Sequence, residues 1–344
     1  MSKVKSIFIV LCLVVLITGM VNARGILPLE KIEPAMEGVA KTVFKGTEVE
    51  EFPVEIINIV ENDMGNDLIL IQARGEKIDK IGGIAAGMSG SPVYIEGKLI
   101  GAIAYGWQNT DLNYAMITPI GRMLDLLDTE KNKEVEKNSD EIDKDNNQDD
   151  NSGETENISK SKPETIDYRA KINSESPPLN TPLMINGLEG RALDRLKNKL
   201  TTSDPKVLPG GKIKKENANP STLKPGSAVA VQLVRGDVNV SSLGTLTYLQ
   251  DKKLLAFGHP FTNKGKVNYL LSKAYINTII PSRNQPFKLG SPFEKLLGTI
   301  NSDRGAGISG KINQFPHIIP LKVKVVDETR GIEKEVNVQK INDQ

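Results

Sequence analysis

Between Thr129 and Pro163 the chain runs through Lys, Asp, Glu, Asn and Ser, with Val135, Ile142 and Ile158 as isolated large apolar side chains. A segment of that composition cannot bury enough apolar surface to offset the entropy of ordering it. It is expected to be a disordered acidic and polar linker over residues 129–165, so whatever folds must do so in blocks on either side. The charges of Asp149, Asp150 and their neighbours need no bound cation to explain them, because runs of this kind are usually solvated. With 344 residues the chain has room for two domains of ordinary size around that gap.

Both flanks read as strand-rich. Ahead of the linker, over residues 24–128, Lys41 to Phe44, Pro53 to Val60, Asp67 to Ala73 and Pro92 to Trp107 are short Val-, Ile- and aromatic-rich runs separated by Gly, Asn and Asp. The last run folds back on itself as a hairpin across Glu96-Gly97-Lys98, with Gly97 supplying a positive φ, and Arg122 to Leu127 closes the block as a short helix. Residues 166–225 form a connector, in which Ala192, Leu193, Leu196 and Leu200 predict one amphipathic helix from Arg191 to Leu200. Residues 226–344 are the second strand-rich block, with a hairpin around Gln250-Asp251 and a half-buried strand predicted where Leu321, Val323 and Val325 alternate with lysines. The expected fold class is all-β and bilobed with minor helices, either two barrels or a barrel and a sandwich.

Residues 1–23 read as a secretory signal. Lys3 and Lys5 precede an apolar run from Ile7 to Ile17, which ends in the small-x-small pattern Val21-Asn22-Ala23. The expected location is therefore secreted or extracytoplasmic. Membrane association is expected through an uncleaved signal segment alone, since the run falls short of the ~20 residues a spanning helix needs. The single cysteine, Cys12, lies inside that run, so the mature chain has no disulfide, thiolate ligand or cysteine nucleophile. No cofactor is expected, and with His259 and His317 as the two histidines no multi-histidine metal site is expected either. Forty-four basic residues against 43 acidic ones, with no basic stretch interleaved with aromatics, argue against a nucleic-acid partner.

The chemistry concentrates in Gly82-Gly83-Ile84-Ala85-Ala86-Gly87-Met88-Ser89-Gly90-Ser91-Pro92, directly before the hairpin. Acyl transfer builds negative charge on a carbonyl oxygen, and preset backbone N–H groups stabilise it. Gly87 and Gly90 permit the tight loop that turns the Gly87 and Ser89 N–H groups into one concavity, the candidate oxyanion hole, and leaves the Ser89 hydroxyl as candidate nucleophile. A glycine-rich turn before a hairpin is the plainer reading of the same residues. A serine needs a base to take its proton, and histidine is the usual one near neutral pH. His259, after the apolar run Leu255-Ala256-Phe257 and Gly258, is the candidate; His317, between Pro316 and Ile318, reads as packed or as an edge-strand residue.

The Gly-x-Ser-Gly-Ser-Pro loop with its hairpin resembles the nucleophile loop of chymotrypsin-fold peptidases, especially glutamyl endopeptidases. Together with Gly244-Thr245-Leu246-Thr247 leading into Phe257-Gly258-His259, it is similar to the SpoIVB peptidase family, the stage IV sporulation serine peptidases. Exported Gram-positive relatives without a PDZ domain, in which forms of Gly46-Thr47-Glu48-Val49-Glu50 recur, are the nearest likeness. The resemblance implies a chymotrypsin-like pair of β-barrel blocks, a protein or peptide substrate, and Ser89 and His259 as nucleophile and general base. In the founding peptidase the histidine precedes the serine loop, whereas here it follows it. The family's aspartate aligns with Arg74, which cannot accept an imidazole N–H. Asp67, Asp79, Asp237 and Asp251 are the acids that could replace it, and each also reads as a surface or turn residue. A serine endopeptidase acting in sporulation or envelope signalling is the leading expectation. An inactive envelope module, binding extended peptide along the 92–107 hairpin or serving as a scaffold, is the alternative.

Overall fold

A computed structural model describes residues 25–60, 67–107, 110–127, 179, 181–200, 207–213 and 222–341. The segments read above as a signal and a linker lie outside the described residues.

Six strands close the first block into a barrel: β1 (Glu37–Thr42), β2 (Glu50–Val60), β3 (Leu68–Ala73), β4 (Pro92–Ile95), β5 (Lys98–Tyr105) and β6 (Tyr114–Pro119), in the order β1-β2-β3-β6-β5-β4. Closure comes from β4 returning to β1 through Val39↔Tyr94 and Ala40↔Val93. Alternation along β2 sends Phe52, Val54 and Ile56 inward, where they meet Ile69, Ile71, Val93, Ile103 and Ile117. The β4–β5 turn forms on Glu96 and Gly97, both at positive φ, as the glycine signal predicted.

The second block is one ten-stranded sheet of β7 (Leu183–Asn186), β8 (Val207–Pro209), β9 (Ala228–Gly236), β10 (Asn239–Gln250), β11 (Lys253–Ala256), β12 (Gly265–Ile280), β13 (Phe287–Arg304), β14 (Gly307–Ile312), β15 (Ile318–Asp327) and β16 (Ile332–Ile341). An additional β9–β10 pairing bends its middle into a ring, β9-β12-β13-β14-β11-β10, around Val229, Val231, Leu254, Phe257, Tyr269, Leu271, Ile300 and Ile308. The fold is therefore all-β and bilobed with two barrel-like blocks, and the sandwich alternative falls away. Among the described residues the helices are short: α1 (Glu76–Ile81), α2 over 120–127 and α3 (Gly190–Leu200). The inner face of α2, Ile120, Met123, Leu126 and Leu127, packs with Leu99 of one barrel and Leu255 and Ala306 of the other.

One expectation in the C-terminal block fails. β15 and β16 pair with each other over their whole length but reach the barrel through Val338, Gln339 and Lys340 on β9. Leu321, Val323 and Val325 are therefore 49, 41 and 53% exposed, on a ribbon whose opposite face carries the Lys322–Glu335 ion pair at 2.8 Å. Period-two alternation predicts a strand correctly, but it cannot say whether a second layer covers the apolar face. Of the two readings of His317, the edge-strand one holds: it is exposed and lies just ahead of β15, the edge strand of the sheet.

Candidate active site

The serine loop enters the cleft between the barrels and is gripped from both. Within its own barrel Gly90 N donates to Ile103 O at 2.8 Å and Ser91 N to Met88 O at 2.9 Å. From the other barrel, Thr245 N donates to Ser89 O (2.8 Å), Thr245 Oγ1 to Gly87 O (3.1 Å) and Thr247 Oγ1 to Gly90 O (2.8 Å). The loop also forms a bridge to the start of β13, with Ala86 N on Pro286 O at 2.8 Å and Lys288 N on Ala86 O at 2.9 Å. Its glycines fit this grip. Gly87 and Gly90 sit at φ +90° and +88°, and a Cβ on Gly90 would overlap the Thr245 carbonyl oxygen and Phe257 N.

His259 approaches from β11. Phe257 and Gly258 both take positive φ, 69° and 71°, an unusual conformation for a buried phenylalanine, and this double kink turns the chain so that the next side chain faces the serine loop. Thr118 Oγ1 of the first barrel holds the kink by donating to Gly258 O at 2.6 Å. His259 Nε2 lies 2.9 Å from Ser89 Oγ, joining residues 170 positions apart. His259 Nδ1 lies 2.7 Å from Pro260 O, a carbonyl that can accept but not donate, so Nδ1 carries the proton and Nε2 is free to accept one from Ser89. Burial pushes the imidazole pKa from 6.5 down to about 4, with the Pro260 bond opposing it, so the ring is neutral at pH 7. The loop's other serine is excluded from this pairing: Ser91 Oγ is buried and has no hydrogen-bond partner among the described residues.

The four candidate acids do not supply a partner for Nδ1. Asp79 accepts from Asn113 Nδ2, Asp237 accepts from Asn337 N, Asp251 forms the β10–β11 turn, and Asp67 precedes β3. Arg74 pairs with Glu55. The nearest structural substitute is Asp303, which the sequence reading missed. Its carboxylate, buried on β13, accepts from Phe261 N (2.8 Å), Thr262 N (2.6 Å), Thr262 Oγ1 (2.7 Å) and Asn263 N (3.0 Å), and so clamps the loop that presents Pro260 O to the ring. Burial raises its pKa, against the four hydrogen bonds that lower it. Within Ser302-Asp303-Arg304-Gly305 it looks like any turn acid, so no sequence signal marks it.

Lys288 was missed as well. Its fully buried side chain runs beside Gly87, whose absent Cβ would lie 3.2 Å from the lysine stem, and ends 2.7 Å from Thr42 Oγ1 and 3.5 Å from Thr245 Oγ1. Burial lowers its pKa to about 7. It thus ties β1, β10 and the serine loop together at one point.

Residues 25–124 match the family model of SpoIVB peptidase S55. This part of the chain is similar to the SpoIVB peptidases, a family of serine-type peptidases. No curated protein and no solved structure matched the chain. The matched span holds the whole first barrel and the Ser89 loop, while His259, Asp303 and Lys288 lie outside it. A peptidase of the SpoIVB type takes proteins or peptides as substrates.

Proposed function

We propose that this SpoIVB-type peptidase hydrolyses peptide bonds through an acyl-enzyme, with Ser89 as nucleophile, His259 as general base, and the Gly87 and Ser89 N–H groups as oxyanion donors. The observation that carries the reading is the 2.9 Å contact between Ser89 Oγ and the unprotonated Nε2 of His259. In this scheme Nε2 takes the hydroxyl proton as Oγ attacks the substrate carbonyl, then returns it to the leaving amine; water repeats the cycle to release the acyl group. The Pro260 carbonyl stands where a triad carboxylate would. It orients the ring but stabilises the imidazolium less than a full negative charge would. The signal-like residues 1–23 support action outside the cytoplasmic membrane, in envelope or sporulation signalling.

The test is fluorophosphonate labelling of the purified chain. Covalent modification of Ser89 in the wild type, abolished in Ser89→Ala and His259→Ala variants that melt normally, is the expected result. Absence of labelling in every folded form of the chain, or labelling that survives His259→Ala, would overturn the assignment.

A further inference from the structure

Ser89 is 0% and His259 1% exposed, so no substrate reaches the pair in this conformation. Part of what covers it is the chain that follows the polar segment, bearing Leu179, Thr181 and Pro182. We propose that these residues occupy the peptide-substrate groove as a built-in pseudosubstrate, and that Leu179 marks a subsite selecting an apolar, leucine-sized residue in substrates. The inference rests on the peptidase reading of Ser89 and His259.

The segment is held at both ends, by one backbone hydrogen bond to the first barrel and one side-chain hydrogen bond to the second. The β5–β6 ladder slips between Ile103 and Tyr105, which leaves Ala104 out of register, and its freed carbonyl accepts the Leu179 N–H at 2.9 Å. Ala104 follows Ile103, which itself bonds the serine loop by accepting from Gly90 N and donating to Ser91 O at 3.0 Å, so this carbonyl lies at the end of β5, the strand hydrogen-bonded to the nucleophile loop. Past the dyad, Pro182 O accepts from Ser242 Oγ of β10 at 2.9 Å. The segment therefore runs from the first barrel to the second. Between those anchors, Thr181 Oγ1 sits 3.4 Å from His259 Nε2, the nitrogen that Ser89 also uses.

The side chain of Leu179 supplies the chemistry of the subsite. It is buried within the first barrel's apolar cluster, and Gly106 leaves room for it: a Cβ there would lie 3.1 Å from Leu179 Cδ2. An acidic or basic side chain would enter that cluster at a large desolvation cost. Pro182 fixes its own φ and biases Thr181 toward extended backbone, the conformation that strand addition requires. Tethering makes the segment a strong competitor, because an intramolecular ligand acts at a high effective concentration.

The experiment compares fluorophosphonate labelling rates of wild-type chain and a Leu179→Gly variant, each also incubated with a synthetic peptide of residues 175–183. The variant should label about tenfold faster or more, since the open fraction scales the apparent rate. The wild-type peptide should slow it again, and a peptide carrying Leu179→Asp should not. A melting curve identifies a misfolded variant, for which Thr181→Gly is substituted. Equal labelling of wild type and variant, or equal inhibition by both peptides, overturns the pseudosubstrate inference while leaving the peptidase reading intact. No labelling of any form overturns both.

Discussion

Acidification should destabilise this protein through one imidazole. His259 is ordinary in the unfolded chain, with a pKa near 6.5, and is pushed to about 4 in the fold by burial. Between those values the unfolded chain holds a proton that the folded chain refuses, so stability falls as pH falls. The loss begins below 6.5, is complete below about 4, and is absent above the unfolded pKa. The gap corresponds to roughly 3 kcal/mol at ~1.4 kcal/mol per pH unit. The perturbation is His259→Gln, which removes the titrating ring and keeps a polar group facing Ser89. Urea unfolding of both proteins from pH 7.5 to 4 provides the assay. Carboxylates, Asp303 included, titrate in both chains and cancel in the difference. The wild-type minus variant stability should drop by ~3 kcal/mol between pH 7 and pH 4. Curves that stay parallel within about 0.5 kcal/mol would refute the reasoning, because they would mean the ring is hydrated and free to protonate. Leu179→Gly, by admitting water to the ring, should flatten the same dependence.

Three further outcomes are expected. Gly90→Ala puts a methyl against Thr245 O and Phe257 N at a φ of +88°; the overlap and the left-handed backbone together cost at least ~3 kcal/mol, read as a lowered Tm by calorimetry, and an unchanged Tm would rule out this close approach of the barrels. Asp303→Asn removes the charge that holds Phe261 N, Thr262 N and Asn263 N, so urea unfolding should show a loss of roughly 2–3 kcal/mol and Ser89 labelling should slow, whereas undiminished labelling would show that Pro260 O holds the ring without the clamp. Lys288→Met replaces a buried amine by an apolar chain of similar length. Because the folded pKa of Lys288, about 7, lies below its ordinary 10.5, the variant should be more stable than wild type by ~1 kcal/mol or more at pH 7, with the advantage shrinking as pH rises toward 10.5; a variant less stable at pH 7 would contradict this.

Local signals in the chain were enough for several elements. The Gly97 hairpin, the 191–200 helix and the serine loop each depend on neighbours within a few positions, through period, turn chemistry or φ, and those are written in consecutive residues. Histidine scarcity also made His259 a candidate before any geometry was known. What joins distant positions was decided by tertiary structure. The β9–β10 pairing turned a sheet into a ring, and packing of the two barrels set Ser89 against His259 across 170 residues. Asp303 and Lys288 became legible as site residues once β13 carried them under the two loops, because nothing in Ser302-Asp303-Arg304 or Phe287-Lys288-Leu289 separates a clamp from a surface charge. The same limit explains the exposed ribbon of β15 and β16: the apolar alternation in Leu321, Val323 and Val325 specifies a strand, but whether another layer covers it depends on the rest of the fold.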